Sequence, residues 1–311
     1  MSSFRQNPRF GLVCAIFAQV LWGCFPIYVY VLRTVEPIDF VANRAIWSFF
    51  LLANLVWISR WVQHPLLPST DEVSNSLRDG KTLRLHALAA LLILINWLTF
   101  VWAVMNDHAI DASLGYYICP LVVVLLGVLL IGERLSNLKW IAVGLAAFGV
   151  GYTALSEGGL LWVPLAIAFS FGFYGVLKKK ARLSPLAGLT LETGFLLLPA
   201  LAYLVWRLVT ASGSVLECPW WVYVLLFGSG MATIAPLAFY AGAVKHLPLS
   251  TVGFLQYIGP TIQFFTGIFV FGESLDYTRL IGFGFVWLGV LLFLISMRRG
   301  MITESRLKTA L

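Results

Sequence analysis

The chain carries very little charge for its size. Only 11% of its 311 residues are Asp, Glu, Lys or Arg, whereas 60% are hydrophobic and the mean hydropathy is +0.88. Water-soluble domains of this length have roughly 25% charged residues, which keep them dispersed. The composition therefore favours a membrane-embedded protein. A soluble protein with a large buried helical core is the alternative.

Motifs for catalysis and for cofactors are missing as well. There is no GxxxxGK[ST] loop, so ATP is not expected to be a direct energy source. The four histidines form no metal-binding pair, and the four cysteines have no CxxC spacing, which argues against metal centres and disulfides. Gly228-Ser229-Gly230 lacks the strand–turn–helix setting of a nucleophile elbow. We expect no enzyme, no cofactor and no metal.

What the sequence does have is long apolar runs. A helix needs about 20 such residues to cross the hydrocarbon layer. The runs predict ten transmembrane helices, at Phe10–Leu32, Asp39–Ile58, Leu85–Met105, Ala109–Ile131, Leu138–Leu155, Leu160–Leu177, Pro185–Trp206, Trp220–Val244, Pro248–Phe271 and Thr278–Met297. The connections are short, except for a polar stretch at 59–84, which is predicted to be a solvated cytoplasmic loop. The first run is too long for a signal peptide and lacks its cleavage site, so it is predicted to stay as a helix.

The distribution of Lys and Arg predicts the orientation. With the N-terminus inside, 17 of the 21 fall on cytoplasmic segments, and only Arg33, Arg207 and Arg279 fall on outer loops. Cytoplasmic loops of membrane proteins carry such an excess. We therefore expect both termini in the cytoplasm. The net charge of +7 is explained in the same way and does not indicate binding to nucleic acid.

The second half of the chain repeats the first at a spacing of 140 residues. Eleven residues between 117 and 150 recur without a gap, among them Tyr117/Tyr257, Pro120/Pro260, Gly132/Gly272 and Glu133/Glu273. Each half has five spans, an odd number, so the halves must insert in opposite orientations. This predicts an all-α membrane protein with a first repeat at 1–156 and a second at 157–311. Inverted repeats are typical of transporters that bind substrate between the halves. A duplication that built only a stable bundle is the alternative.

Two ionisable residues lie well inside the predicted spans. Arg44 follows Pro37 by seven residues, and Glu192 follows Pro185 by seven, so the two are equivalent in the inverted halves. A charge within a membrane is costly and suggests a use. We expect both to contact substrate or to form gates, with Arg44 toward the outer end and Glu192 toward the inner end. Snorkelling of Arg44 and a satisfied helix-start carboxylate are the structural alternatives.

Other polar and aromatic side chains indicate the walls of a central cavity. They suit a small amphipathic solute, although interhelical hydrogen bonding and interfacial belts are the simpler explanation for each one. Proline within a span frees a carbonyl and can act as a hinge. The substrate-facing candidates are Trp22, Asn96, Trp97, Tyr117, Gln256, Tyr257 and Gln263, and the hinge candidates are Pro120 and Pro260. Gly144, Gly149, Gly284 and Gly289 are predicted to serve close helix packing.

The sequence resembles the RarD group of permeases, in the EamA branch of the drug/metabolite transporter superfamily. The resemblance runs over residues 10–297 and is most specific at NWLTFVWA (96–103), ASLGYYICPLVVVLLGVLLIGERL (112–135) and LPLSTVGFLQYIGPTIQFF (247–265). It implies a ten-helix, inverted-repeat transporter of the inner membrane, and the group's name suggests drug export related to chloramphenicol. In the family pattern a histidine often precedes the arginine of the second helix. Asn43 stands there in this chain. If the family's histidine titrates during a proton-coupled cycle, Asn43 cannot do so, which weakens any assignment of proton coupling to this position.

These observations together predict a secondary transporter that moves a small organic solute outward, with proton coupling. Arg44 would hold an anionic group or stabilise the outer gate. Glu192 would be the proton site, because apolar surroundings favour the neutral form of a carboxyl group. An uncoupled facilitator and a membrane scaffold or sensor without transport are the alternatives. The partners expected are a small-molecule substrate, the lipid bilayer and protons.

Overall fold

The computed structural model describes residues 7–62, 67–106, 108–157, 162–210, 218–272 and 277–309, and these ranges contain helices and short connections without a strand. Apolar runs of this length form helices in a membrane, because every backbone hydrogen bond is then made within the segment. The helices are α1 Pro8–Val31, α2 Pro37–Ile58, α3 Thr70–Ser76, α4 Gly80–Met105, α5 Ala109–Ile131, α6 Asn137–Glu157, α7 Trp162–Lys180, α8 Pro185–Val209, α9 Trp220–His246, α10 Leu249–Gln256, α11 Ile258–Phe269 and α12 Tyr277–Thr309.

All ten predicted spans are present as helices. Within the described ranges, eight single helices are long and apolar enough to cross a membrane by length and composition. A further predicted span, the sixth along the chain, is α7, which ends in three lysines, Lys178, Lys179 and Lys180. The remaining one, the ninth along the chain, is formed by α10 and α11 in succession. The prediction of an all-α, ten-helix membrane protein in two inverted five-helix repeats is therefore confirmed.

Most of the close helix pairs join one half to the other. Helix α1 packs on α9 and α11, α4 packs on α7 and α8, and α5 packs on α7 and α10. The pairs α2–α8 and α6–α12 each unite two equivalent helices. Helices α1, α2 and α4 of the first half are equivalent to α7, α8 and α9 of the second. Exchanging the halves therefore converts the pair α1–α9 into α7–α4 and the pair α2–α9 into α8–α4, and both of these pairs are observed. The repeat in the sequence thus appears as a pseudo-two-fold arrangement, and anything bound at the centre touches both halves.

Small residues bring α6 and α12 together. A Cβ added to Gly149 would lie 2.4 Å from the carbonyl oxygen of Gly282, and one added to Gly289 would lie 2.7 Å from that of Ala142. Close backbone approach of this kind drives helix association in lipid, where the hydrophobic effect contributes little. A Cβ at Gly144 or Gly284 would meet nothing within 4 Å. The prediction that these two glycines serve close packing was wrong, because they face away from the partner helix.

The ninth span along the chain differs from its prediction. One span was expected at Pro248–Phe271, but α10 ends at Gln256 and α11 begins at Ile258. Pro260 has no N–H for the carbonyl of Gln256, and its ring crowds that same carbonyl. Helix α5 remains helical through the equivalent Pro120. Gly259 precedes Pro260, whereas Cys119 precedes Pro120, and glycine lowers helix propensity.

Residues 67–84 of the predicted loop 59–84 are also more ordered than predicted. Helix α3 forms within it, and α4 begins at Gly80, where the side chain of Asp79 accepts a hydrogen bond from the backbone N–H of Lys81. Glu72 of α3 accepts hydrogen bonds from the backbone N–H and the hydroxyl of Ser184, at 2.5 and 2.7 Å. A carboxylate at this position satisfies free donors at the start of α8. This segment is therefore attached to the second half rather than solvated throughout.

Candidate functional site

Glu192 belongs to a buried cluster of four titratable side chains. Its Oε1 atom is 2.8 Å from Nζ of Lys178 and 2.8 Å from Nδ1 of His86, and its Oε2 accepts a hydrogen bond of 3.0 Å from the Tyr174 hydroxyl. All four side chains are buried, with 2% or less of each residue exposed. The sequence predicted apolar surroundings for Glu192. The structure instead provides a paired cation and two further hydrogen-bonding groups.

Helices from both halves build this Glu192 cluster. Lys178 and Tyr174 lie one turn apart near the end of α7, Glu192 lies near the start of α8, and His86 comes from α4 of the first half. The contact is tight, because a Cβ added to Gly188 would be 2.7 Å from Cε1 of His86. The bond between His86 and Glu192 therefore ties the two halves together at the predicted cytoplasmic end.

A second cluster surrounds Arg44 on α2. Its Nε donates a hydrogen bond of 3.0 Å to the hydroxyl of Thr233 on α9. Its guanidinium carbon lies 4.2 Å from the ring centre of Trp97, 5.3 Å from that of Phe25 and 5.8 Å from that of Phe40. Cation–π contacts of this kind stabilise a positive charge away from water. Arg44 thus sits in a box of aromatic rings between the halves.

A third charged cluster lies at the end of the helix pair α2–α8 that is opposite to Glu192. Arg207 near the end of α8 contacts Glu36 at 2.6 Å and Asp39 at 3.1 Å, both at the start of α2. The hydroxyl of Tyr203 donates to Asp39 at 2.9 Å. The end of α8 therefore lies beside the start of α2, so the two helices are antiparallel. Arg44 and Glu192, each seven residues from its own helix start, consequently lie toward opposite ends of the bundle.

Two predicted substrate contacts, Asn96 and Gln263, form hydrogen bonds that hold helices together. Asn96 is buried and donates to the carbonyl of Ile167 at 2.9 Å and to the hydroxyl of Ser170 at 3.2 Å. Gln263 donates to the carbonyl of Trp22 at 3.1 Å, which links α11 to α1. These amides satisfy backbone groups across helix interfaces, as amides in membrane bundles commonly do.

Aromatic packing connects Trp22 to the Glu192 cluster. The Trp22 ring lies 5.5 Å from Phe171 and 5.8 Å from Tyr240, measured between ring centres. Tyr240 stacks on Tyr174 at 6.3 Å, and Tyr174 donates to Glu192. Aromatic pairs at these distances prefer defined mutual orientations. A displacement of α1 relative to α9 would therefore change the packing around Tyr174, whose hydroxyl donates to Glu192.

The residues near the break between α10 and α11 are densely packed. Tyr257 and Gln256 are buried, and neither the Tyr257 hydroxyl nor Oε1 of Gln256 has a hydrogen-bond partner within the described ranges. Tyr117, the counterpart of Tyr257, packs on Phe283 with ring centres 4.7 Å apart. The carbonyl of Pro120 would be 2.8 Å from a Cβ on Gly253. Buried polar groups without partners gain from any conformation in which water or a ligand reaches them.

A surface groove of about 370 Å³ lies on the outside of α1 and α9. Cys24, Ile27, Tyr28, Val31 and Leu225 line it. Its walls are apolar side chains, several of them exposed on the outside of the bundle. Tyr28 also borders the Arg44 cluster, because its ring centre lies 6.0 Å from that of Phe25. The groove contains none of the predicted site residues.

Sequence reasoning missed three members of the Glu192 cluster. It counted Lys178, which lies just beyond the predicted span Leu160–Leu177, among the cytoplasmic cations and gave His86 no role, yet Lys178 and His86 are both buried. Tyr174 was not singled out at all. A usable signal was present in the sequence, because a carboxylate inside a span requires a cationic partner. Lys178 is the first of three lysines at the end of the preceding helix and could have been proposed for that role.

A ten-helix bundle of two inverted halves, with charged clusters where the halves meet, defines the class of membrane transporters built on inverted repeats. The sequence model of the EamA-like transporter family matches residues 9–155 and 158–295. The chain belongs to that family, within its RarD group. It is a multi-pass membrane protein.

Individual relatives agree with this assignment. A Vibrio cholerae serotype O1 protein named "Uncharacterized transporter" is 40% identical over 294 residues, which cover 94% of each chain. Protein RarD of Streptomyces exfoliatus is 36% identical over 308 residues, which cover 98% of this chain and 95% of the relative. A crystal structure 18% identical in sequence matches with a TM-score of 0.64, over 91% of this chain and 96% of that one. The structural match shows the same fold.

Proposed function

We propose that the protein is a secondary active transporter of the inner (plasma) membrane that exports a small amphipathic organic solute in exchange for protons. The Glu192 cluster is the observation that carries this proposal. It places an ammonium and an imidazole within hydrogen-bonding distance of one carboxylate oxygen, and it joins the two halves. Ionisable groups buried in a membrane are used for proton relays and ion pathways.

The cluster suggests how a proton could open one end of the transporter. Protonation of Glu192 would remove the negative charge that holds both Lys178 and His86. An unpaired buried ammonium is costly, so the end of α7 would move toward water. Lys245 of α9 lies close enough to interact electrostatically with Lys178 and would add to that repulsion. Because His86 belongs to the first half, the halves would separate at the predicted cytoplasmic end, as alternating access requires.

The name of one relative indicates a solute to test. A Pseudomonas aeruginosa relative, 32% identical over 285 residues and with 91% of this chain covered, is named "Chloramphenicol-sensitive protein RarD". That name connects the relative with a drug, and chloramphenicol is accordingly one of the compounds to test. The bias of Lys and Arg supports a cytoplasmic location for both termini, which would put the Glu192 cluster at the cytoplasmic end.

The test is flux in liposomes that contain the purified protein, with and without an imposed pH gradient. We expect uptake or release of at least one solute to rise when the gradient is applied and to fall when a protonophore collapses it. In Glu192→Gln the acceleration by the gradient should disappear, while exchange of solute at equal pH on both sides persists. Asp71→Asn, an exposed carboxylate of α3, is the matched control. Unchanged gradient dependence in Glu192→Gln would remove the proton role.

An uncoupled facilitator is a second candidate, and one observation favours it. Lys178 already neutralises Glu192 within a buried pair, so the cluster could be purely structural. In that case flux would proceed down the solute gradient and ignore the pH gradient. The same liposome experiment decides between the two functions.

A further inference from the structure

The Arg44 site and the Glu192 site are related by the inverted repeat but differ in their charge balance. Arg44 on α2 bonds to Thr233 on α9, and Glu192 on α8 bonds to His86 on α4. Exchanging the halves turns α2–α9 into α8–α4, so the two bonds join equivalent helix pairs. Glu192 has a full counter-charge in Lys178. The positive charge of Arg44 also needs an anion to balance it.

Within the described part of the chain, no acidic side chain forms an ion pair with Arg44. Asp39 lies five residues earlier on the same helix, but it is engaged by Arg207 and Tyr203. The groups that interact electrostatically with Arg44 are the neutral phenols Tyr28 and Tyr116. A guanidinium inside a membrane without an anion is costly and is retained where it has a function. The missing charge is therefore one that a ligand can supply.

The geometry of the site limits the chemistry of that ligand. Thr233 accepts from Nε, which leaves the edge with the two terminal nitrogens for a planar, two-oxygen anion. A single cation balances a single negative charge, so a monoanion fits better than a phosphate dianion. The neighbouring rings of Trp97, Phe25 and Phe40 offer flat apolar faces. A flat apolar body attached to the anion would stack there.

We propose that this Arg44 box binds the carboxylate of the transported solute, and that the substrate class is small aromatic monocarboxylates. This inference rests on the transport function proposed above and adds the chemical class of the substrate. In the second half, Glu192 is already paired with Lys178. In the first half, the bound anion would form the corresponding charge pair with Arg44. Substrate and proton then act on equivalent sites at opposite ends of the bundle, one in each half.

Matched pairs of probes test the substrate class. Benzoate, phenylacetate and indole-3-acetate are compared with benzamide, phenylacetamide and indole-3-acetamide, because each pair has the same ring and differs in charge. The first measurement is the shift in melting temperature of the purified protein as each probe is titrated, since a ligand stabilises the state that it binds. We expect at least one acid to bind tenfold or more tightly than its amide.

Variants then locate the binding. Arg44→Gln should lose the preference for the acid, and Arg44→Lys should retain part of it, because a lysine keeps the charge but lacks the two-nitrogen edge. Thr233→Val keeps the charge and releases Nε, and should weaken the acid severalfold. It provides the test if Arg44→Gln fails to fold. Arg33→Gln is the matched control, because Arg33 also lies over a ring, that of Tyr30, but is exposed.

The outcomes separate this inference from the transport function. Equal binding of acids and amides, or acid binding that survives Arg44→Gln, overturns the inference. If liposomes then still transport a neutral solute, the proposed transport function stands without it. If acids bind in an Arg44-dependent manner but no solute crosses the membrane, the binding site stands and the transport function fails.

Discussion

Arg44 and Glu192 hold equivalent positions in two antiparallel helices, each seven residues after the proline that begins its helix. At about 1.5 Å per residue, each lies roughly 10 Å along its helix. One is a cation boxed by aromatic rings, and the other is a carboxylate paired with Lys178. The inverted repeat therefore preserves the position of an intramembrane charge while reversing its sign and its surroundings.

The Lys178–Glu192 pair should behave as one unit in stability measurements. Lys178→Met leaves a buried carboxylate without its cation and should lower the free energy of unfolding by about 3–5 kcal/mol. The double variant Lys178→Met/Glu192→Gln should recover most of that loss, because neither charge remains. Unfolding of the purified protein in detergent measures both values. Lys180→Met, an exposed neighbour, should have little effect. Strictly additive losses would show that the two residues do not act as a pair.

The contact of Arg207 with Glu36 and Asp39 should stabilise the end of the α2–α8 pair that lies away from Glu192. Arg207→Gln leaves Asp39, which is 1% exposed, with only the Tyr203 hydroxyl among the contacts described above. We expect a lower melting temperature and faster amide exchange in the first turn of α2 and the last turn of α8. Arg33→Gln serves as the control. Unchanged exchange in Arg207→Gln would mean that packing alone closes this end.

Pro260 should determine the break between α10 and α11. Pro260→Ala restores the N–H that can bond to the carbonyl of Gln256, so the two helices should join through Tyr257. If that break is a hinge, flux in liposomes should fall at least tenfold while thermal stability is kept or improved. Pro120→Ala, in the unbroken α5, is the matched comparison and should change flux less. Equal effects of the two variants would argue against a hinge at the break.

Gly149 should be intolerant of any side chain, in contrast to Gly144. In Gly149→Ala the new methyl group would overlap the carbonyl of Gly282 and force α12 away, a cost of about 1–3 kcal/mol. Gly144→Ala meets open space and should gain helix propensity, up to about 1 kcal/mol. Melting temperatures of the two variants in the same detergent check this contrast. Equal shifts would place the α6–α12 contact elsewhere.

Local features of the sequence were read reliably. The predicted boundaries of the spans agree with the structure to within a few residues for most helices, and those of α5, Ala109–Ile131, agree at both ends. Gly132 and Gly272, which the repeat pairs, both have positive φ angles, of 79° and 71°. Glycine adopts such angles without strain, so the repeated residue has the same structural role in both halves. These features depend on short stretches of chain, which is why the sequence reveals them.

The candidate site was predicted only in part, because its contacts join distant segments. Glu192 and Arg44 could be identified from the sequence as charges inside apolar spans. Their partners could not, since His86 lies 106 positions from Glu192 and Thr233 lies 189 positions from Arg44. Lys178 was counted among the cytoplasmic cations because it belongs to a basic run, although its side chain is buried beside Glu192.

The sequence by itself determined the membrane class, the ten spans, the repeat and the two charges within it, because hydropathy and periodicity act along the chain. Only the tertiary structure decided that Glu192 is paired with Lys178, whereas Arg44 forms no ion pair among the described residues. That outcome depends on how helices from opposite halves pack, and packing places residues in contact regardless of their separation in sequence. The same packing made Lys178 part of a buried pair and left Arg44 facing aromatic rings.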